Sequence, residues 1–430
     1  MEVLGELEYG FEQLGGLLAL LQGVRSGRAS TRPELVEYSG LGRNVVAQRV
    51  VALQQAGLLR EGNLARSSGG RAPRRLTFCA DAGIILTAEL GATSLAVAVS
   101  DLAGNLADIH VEDADITDGP EVALNRVQQL FTDILSTQKG GVSVWGVGVG
   151  LPGPVEFATA RPVVPPIMPG WNGFDVREYF SSRFNAPVWV DNDANLIALG
   201  ELRGGLAQDD LDFICLKIGS GIGAGLVSQG RLHRGAQGSA GDIGHIVISG
   251  SSNVVCRCGK RGCLEALAGG TAIGRRGEQV AKAGHSALLA AKLHSTGSVS
   301  AEDVADAANR GDAVARDLLQ ESAAMVGEAV SSLVNLFNPS LVLLGGGVIG
   351  AGDLYLAQIR TTILELSLPL ATRSLRILPS MNSDHAGLRG AAFMILDQLF
   401  SPALFQYWFP YGTPAGHPDL AERGLRGQAA

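Results

Sequence analysis

Apolar residues recur at helical spacing near the start of the chain, at Leu14, Leu17, Leu18 and Leu21, and predict an amphipathic first helix. A second helix is predicted from Ser30-Thr31-Arg32-Pro33-Glu34 onward, because Thr31 can cap its N-terminus and Pro33 suits its first turn. Gly40-Leu41-Gly42 interrupts the pattern with a tight turn, since glycine accepts positive φ. From Arg43 to Gln55 the helical period returns, with Val46, Val50 and Leu53 inward and Arg43, Asn44 and Gln48 outward. Helix, short glycine turn and helix is the layout that lays a second helix into a DNA major groove. The outward residues suit base edges, arginine reading guanine and the amides reading adenine. After Gly57-Leu58-Leu59, residues 67–75 place Arg71, Arg74 and Arg75 on a glycine-rich tip, a wing suited to phosphate or minor-groove contact. A three-helix packing module with a solvated charged loop is the alternative.

Beyond residue 82 the pattern becomes one of short apolar strands separated by glycine turns. Ile84 to Thr93 and Leu95 to Asp101 predict a hairpin, followed by a helical stretch from Glu121 to Leu135. Val144 to Gly150 predicts a strand running into Leu151-Pro152-Gly153-Pro154. Val188 to Asp191 predicts another, leading into Asn192-Asp193-Ala194-Asn195 and the helix that carries Glu201. Phe213 to Ile218, with glycines at 219, 221, 223 and 225, repeats the strand–turn–strand arrangement. Its recurrence in both halves predicts two α/β lobes around a cleft. The expected organisation is a DNA-binding domain over 1–78, a first lobe over 82–195 and a second over 196–400. The last body helix, closed by Leu399, is expected to pack on the first lobe. The tail, 401–430, shows no periodicity; its aromatic residues are expected to pack back on the body and its last dozen residues to be disordered.

Composition narrows the setting. The 430 residues are 46% hydrophobic and 18% charged, as in a globular protein of two or three domains. Net charge is −8, yet residues 1–78 hold ten Arg and seven Glu, a balance of +3 that leaves −11 for the rest. Only the first part therefore suits a polyanion. Glu2, Glu6 and Glu8 with no basic run argue against a signal peptide, and no apolar run approaches the roughly 18–20 residues that cross a bilayer. A cytoplasmic location without membrane contact is expected, where reduced thiols favour metal over disulfide.

Three of the five cysteines fall within ten residues, Cys256-Arg257-Cys258-Gly-Lys-Arg-Gly-Cys263, just after Asp242-Ile-Gly-His245 and before Glu265. Three thiolates and an imidazole complete a tetrahedral shell for Zn²⁺ and leave no open position for a catalytic water. His245, Cys256, Cys258 and Cys263 are thus predicted to hold a structural zinc. The alternative is a chance cluster of buried thiols, with His245 satisfying a core hydrogen bond.

Thr31-Arg-Pro-Glu-Leu, Gly40-Leu-Gly-Arg-Asn-Val-Val46, Ala56-Gly-Leu-Leu and Gly69-Gly-Arg-Ala-Pro73 together resemble the DNA-binding domain of ROK-family transcriptional repressors. The body resembles the same family through Leu151-Pro-Gly-Pro, Pro169-Gly-Trp171-Asn, Asp191-Asn-Asp-Ala-Asn195 and the glycine run ending in Gly241-Asp242-Ile-Gly-His245. The resemblance implies a ribonuclease-H-like body of the sugar-kinase, actin and Hsp70 type behind a winged helix-turn-helix. It implies sugar contacts by Asn192, Asp193, Asp242, His245 and Glu265, with His245 shared between zinc and ligand. For Asp242 and Glu265, capping of the zinc loop is the alternative. It further implies operator DNA and a sugar effector as partners, and assembly through the body as a homodimer or homotetramer.

Two departures from the family matter. Gly42, Val45 and Ala47 stand where it usually has Ser or Thr, which implies weaker anchoring to phosphates or an altered operator. Its kinases carry Asp-x-Gly-Gly-Thr-Lys at the first phosphate loop, where this chain reads Glu89-Leu-Gly91-Ala92-Thr93-Ser94. A Cβ at Ala92 and the missing lysine weaken any phosphate cradle, so Asp193, the base if the protein were a kinase, is expected to serve as a sugar ligand only. A sugar sensor, a sugar kinase with an appended helix-turn-helix and an interaction protein with a vestigial cleft remain three distinct readings.

Overall fold

Thr31 caps the second helix through its side chain, which accepts from the Glu34 N–H, and Gly40 closes that helix at φ 67°. These two residues bound the first helix of the helix-turn-helix. The computed structural model describes residues 11–64, 73–138, 143–250, 252–380 and 385–423. Its N-terminal unit comprises α1 (Phe11–Arg25), α2 (Arg32–Ser39), α3 (Arg43–Gln55) and the antiparallel pair β1 (Leu59–Leu64) and β2 (Arg74–Phe78). Leu17, Leu21, Leu35, Val46, Val50 and Leu53 are buried between the three helices, as their spacing predicts. Arg43, Asn44 and Gln48 are exposed along α3, and Arg71 lies outside the described residues.

The first lobe contains β3 (Ile84–Leu90), β4 (Ser94–Asp101), β5 (Leu106–Asp113), α4 (Pro120–Thr137), β6 (Val144–Leu151), the ribbon β7 (Val155–Glu156) and β8 (Arg161–Pro162), α5 (Val176–Phe184) and β9 (Val188–Asn192). Its mixed sheet has the order β5-β4-β3-β6-β9. The second lobe follows through α6 (Asp193–Gly204). It contains β10 (Phe213–Ile218), β11 (Ile222–Ser228), β12 (Arg231–Leu232), α7 (Leu264–Ala268), α8 (Gly270–Lys282), α9 (Ala287–Thr296), α10 (Ala301–Asn309), α11 (Ala313–Phe337), β13 (Leu341–Gly345), α12 (Asp353–Leu366), α13 (Pro369–Thr372) and β14 (Arg376–Pro379). Its sheet, β12-β11-β10-β13-β14, repeats the plan of the first: an antiparallel hairpin whose first strand pairs in parallel with the next. The two lobes are the α/β body that the recurring strand–turn–strand pattern predicts. No helix among the described residues is long and apolar enough to cross a membrane.

The chain returns to the first lobe through α14 (Ala386–Leu399), which packs along α6 and against β3 and β6. Two glycines permit that approach: a Cβ at Gly200 would meet the Ala386 carbonyl oxygen at 2.1 Å, and one at Gly390 would meet that of Leu196 at 1.8 Å.

The tail packs its aromatic residues on the body as expected, but it is helical in part and ordered further than expected. Residues 402–408 form α15 (Pro402–Trp408), capped by the Ser401 hydroxyl, and it packs on α1 as well as on the body. Trp408 is wholly buried, at 5.2 Å from the Trp145 ring and 5.7 Å from Phe400, and its indole N–H donates to the Leu399 carbonyl. Leu420 and Ala421 are buried too, so the beginning of the dozen residues expected to be disordered is placed; 424–430 lie outside the described residues. Seven residues are too few for a periodic signal, and burying the aromatic rings is what orders the segment. Beside it, the Arg25 guanidinium of α1 lies 4.0 Å from the Phe400 ring and 5.2 Å from Phe78. Burial lowers its pKa to about 10, against the pull of Asp397.

Candidate functional site

Between the lobes lies a cleft of about 750 Å³. It brings together Asn192, Asp193, Asp242, His245 and Glu265, residues spread over more than seventy positions of the chain. The turn Gly91 to Ser94, closed by the Gly91 N–H to Ser94 carbonyl bond of 2.7 Å, forms part of the wall, as do residues 219–224. The glycine run exists because backbone meets backbone here. A Cβ at Gly225 would lie 2.5 Å from the Ala194 carbonyl oxygen, and one at Gly241, where φ is 93°, would lie 1.9 Å from that of Ala224.

Asn192 ends β9 and caps α6: its Oδ1 accepts from the Ala194 N–H at 2.9 Å, and its Nδ2 donates to the Gly153 carbonyl at 3.0 Å. One amide hydrogen and one lone pair therefore remain for a ligand. Asp191, 1% exposed, accepts from the Arg234 Nε at 2.7 Å and from the Asn195 Nδ2 at 2.9 Å, and Arg234 stacks 3.9 Å from the Phe157 ring. A buried charge satisfied on several sides holds its segment rigidly, which is what a recognition turn requires. The Asn195 Oδ1 is buried without a partner among the described atoms and lines the cleft.

Asp193 begins α6 and is nearly buried. Its Oδ1 accepts from its neighbour's N–H, while its Oδ2 lies 2.7 Å from the Lys217 ammonium. Lys217 sits on β10 and also donates to Glu89 Oε1, on β3 of the other lobe, at 3.3 Å. Burial opposes the lysine charge, but Asp193 and Glu89 outweigh it and hold the pKa above the ordinary lysine value. Burial raises the pKa of Glu89, with Lys217 acting against that shift. Neither Lys217 nor Arg234 emerges from the motif reading. The one signal is a charge inside the otherwise apolar strand Phe213-Ile-Cys-Leu-Lys-Ile218, in a chain with five lysines.

Cys256 and Lys260 close a tight turn, the Cys256 N–H donating to the Lys260 carbonyl at 2.7 Å, and Cys263 caps α7, which carries Glu265. The ligand atoms of His245, Cys256, Cys258 and Cys263 all lie within 4.8 Å of one another. A tetrahedron with metal–sulfur bonds of about 2.3 Å and metal–nitrogen bonds of about 2.0–2.1 Å has sulfur–sulfur edges near 3.8 Å and nitrogen–sulfur edges near 3.5 Å. The Cys258–Cys263 sulfur separation is 3.7 Å, and the His245 Nδ1 to Cys256 Sγ separation is 3.5 Å. Burial, reinforced by the neighbouring thiols, pushes Cys263 up to about 12. For Cys258 the Lys260 N–H and the adjacent sulfurs outweigh burial and lower the pKa. Thiols crowded this way gain most from a cation that lets all three ionise. With Nδ1 facing the thiols, His245 keeps Nε2 for the cleft, which it also lines.

Glu265 accepts from the Ile222 N–H at 3.2 Å, and burial raises its pKa against the opposing charges of His245 and Arg257. Asp242 is exposed at the cleft rim.

A model of the ROK family matches residues 85–398. A xylose repressor from Caldicellulosiruptor bescii is 29% identical, covering 89% of this chain and 96% of the repressor. A glucokinase from Halalkalibacterium halodurans is 30% identical, covering 72% of this chain and 94% of the enzyme. Among solved structures, a ROK family transcriptional regulator homologous to the Escherichia coli MLC protein superposes with TM-score 0.78 at 26% identity, over 94% of this chain and all of that one. The Streptomyces griseus ROK glucokinase, solved with glucose and AMPPNP, gives TM-score 0.64 at 30% identity over 73% of this chain and 99% of the enzyme.

Proposed function

The chain belongs to the ROK family, and on that premise we propose that it is a sugar-responsive DNA-binding repressor whose kinase-like cleft senses its ligand without phosphorylating it. The observation that carries this reading is the helix-turn-helix joined to the body. Coverage of 89% by a xylose repressor cannot be reached without residues ahead of Ile85, whereas the glucokinase likeness spans 72%. The protein would act in the cytoplasm as a homodimer on a palindromic operator, with half-sites one helical turn apart or a multiple of it.

Arg43, Asn44 and Gln48 would read base edges, and Arg71 the backbone. Arg43→Ala is expected to cost about 1–3 kcal/mol of operator affinity and to relax specificity at one base pair. Binding to operators substituted one position at a time checks it. Equal loss on every sequence would reassign Arg43 to phosphate contact.

In the cleft, Asn192, Asp193, Asp242, His245 and Glu265 would accept or donate to sugar hydroxyls, and Zn²⁺ on His245, Cys256, Cys258 and Cys263 would fix the loop that carries three of them. Held by these four residues, the ion would cross-link the loop, orienting His245 and fixing Cys263, the N-cap residue of the helix that carries Glu265. A ligand shifts an equilibrium only by its differential affinity for two states, so these contacts must tighten on closure. Closure would reach the DNA-binding unit along α6, α14 and α15, which pack successively from Asp193 to α1.

The second reading, a sugar kinase, draws on the glucokinase likeness. Against it stand Ala92 and Ser94 in the phosphate loop and the lysine bound to Asp193, since phosphoryl transfer depends on phosphate positioning and a free base. A coupled assay with ATP and a sugar panel separates the two readings. Turnover in the range of about 1–100 s⁻¹ would establish the kinase; its absence, with thermal stabilisation by a sugar, supports the sensor.

A further inference from the structure

Lys217, on β10 of the second lobe, places an ammonium between Glu89, on β3 of the first lobe, and Asp193, at the β9–α6 junction where the chain passes from one lobe to the other. Asp193 Oδ2 lies at 2.7 Å and Glu89 Oε1 at 3.3 Å, and the three side chains are 10%, 17% and 23% exposed for Asp193, Glu89 and Lys217. Glu89 is also wedged against the first turn of α14: a Cβ on Gly387 would meet its Oε2 at 2.0 Å. Glu89 is therefore held by backbone packing and Asp193 by the Ala194 N–H that its Oδ1 accepts at 2.8 Å, and both carboxylates converge on the ammonium. Without a cation there, two nearly buried like charges would face each other, an arrangement that drives either proton uptake or capture of an ion.

We propose that Lys217 is the built-in cation of the cleft: it fills the position between Glu89 and Asp193 that a divalent metal would otherwise take. Three consequences follow from the geometry. Ligand binding in the cleft needs no Mg²⁺. Asp193 is held as an ion-paired hydrogen-bond acceptor, with one oxygen on the ammonium and the other on the Ala194 N–H. The two lobes are tied at the cleft floor by a charge carried on the protein itself, so closure can be set by the sugar alone. The last of these rests on the sugar-sensor reading; the cation assignment does not.

Lys217→Ala, made in the full-length protein with its thiolate site loaded, opens the space between the two carboxylates. The expected result is one new Mn²⁺ site, seen by electron paramagnetic resonance and at least about tenfold tighter than any site of the parent protein. Adding Glu89→Gln to Lys217→Ala should abolish that site. Mn²⁺ uptake by Lys217→Ala no greater than that of the parent would overturn the proposal. Should Lys217→Ala not fold, the parent protein decides the matter: a Mn²⁺ site in its cleft that Asp193→Asn removes would contradict a position already filled by lysine, and its absence is the expected result. A parent protein that binds no sugar but whose Lys217→Ala variant gains the Mn²⁺ site would sink the sensor reading and leave this inference standing.

Discussion

Cys258→Ser is expected to release zinc and to abolish sugar binding together. Serine cannot supply the thiolate, and changes to outer-shell partners alone cost about 10–100-fold in metal affinity, so loss of a direct ligand should exceed that. Without the ion, Cys256 and Cys263 revert to crowded, largely protonated thiols, and His245 loses the contact that orients it. Cys263 no longer holds the start of α7, and Glu265 drifts with it. Metal content measured alongside sugar affinity checks this. Full zinc occupancy in the variant, or sugar affinity unchanged in a zinc-free one, would break the link between loop and cleft.

Trp408→Ala is expected to lower stability by about 3–5 kcal/mol, the usual cost of removing a large, fully buried aromatic side chain. The ring touches Trp145, Phe400, Phe405 and Phe409 and holds α15 where it meets α1. The cavity should therefore loosen the DNA-binding unit from the body, and the sugar response should fall more than the stability of the sheets requires. Denaturant unfolding followed with operator binding in the presence and absence of sugar tests both parts. A loss under about 1 kcal/mol would mean that the tail merely covers the surface.

Local chemistry was legible and long-range pairing was not. Thr31 and Gly40 mark the ends of α2 because capping and positive φ are properties of single residues. The glycine run marks close backbone approach, and the cysteine spacing marks the cluster in which His245, Cys256, Cys258 and Cys263 bring their ligand atoms within 4.8 Å of one another. Lys217 was illegible as a site residue because its partners lie 24 and 128 positions away, Asp193 at the start of α6 and Glu89 on β3. Arg234, which fixes Asp191 from 43 positions away, was hidden for the same reason. The packing of the tail's aromatic residues on the body is as expected; the burial of Leu420 and Ala421 is not, because it comes from tertiary packing that no short window reveals. Convergence of Asn192 and Asp193 with Asp242, His245 and Glu265 was expected from resemblance; what the fold adds is how little hydrogen-bonding capacity Asn192 and Asp193 leave free.

A sugar sensor of this kind requires the cleft to be coupled to the DNA-binding unit. The direct measurement is operator affinity, by fluorescence anisotropy, titrated with each sugar that stabilises the protein thermally; a ligand at about 100 times its dissociation constant adds about 2.7 kcal/mol and is readily detected. The account predicts that at least one such sugar shifts operator affinity by about tenfold or more, equivalent to about 1.4 kcal/mol of coupling. Operator affinity unchanged by every sugar that stabilises the fold would contradict it.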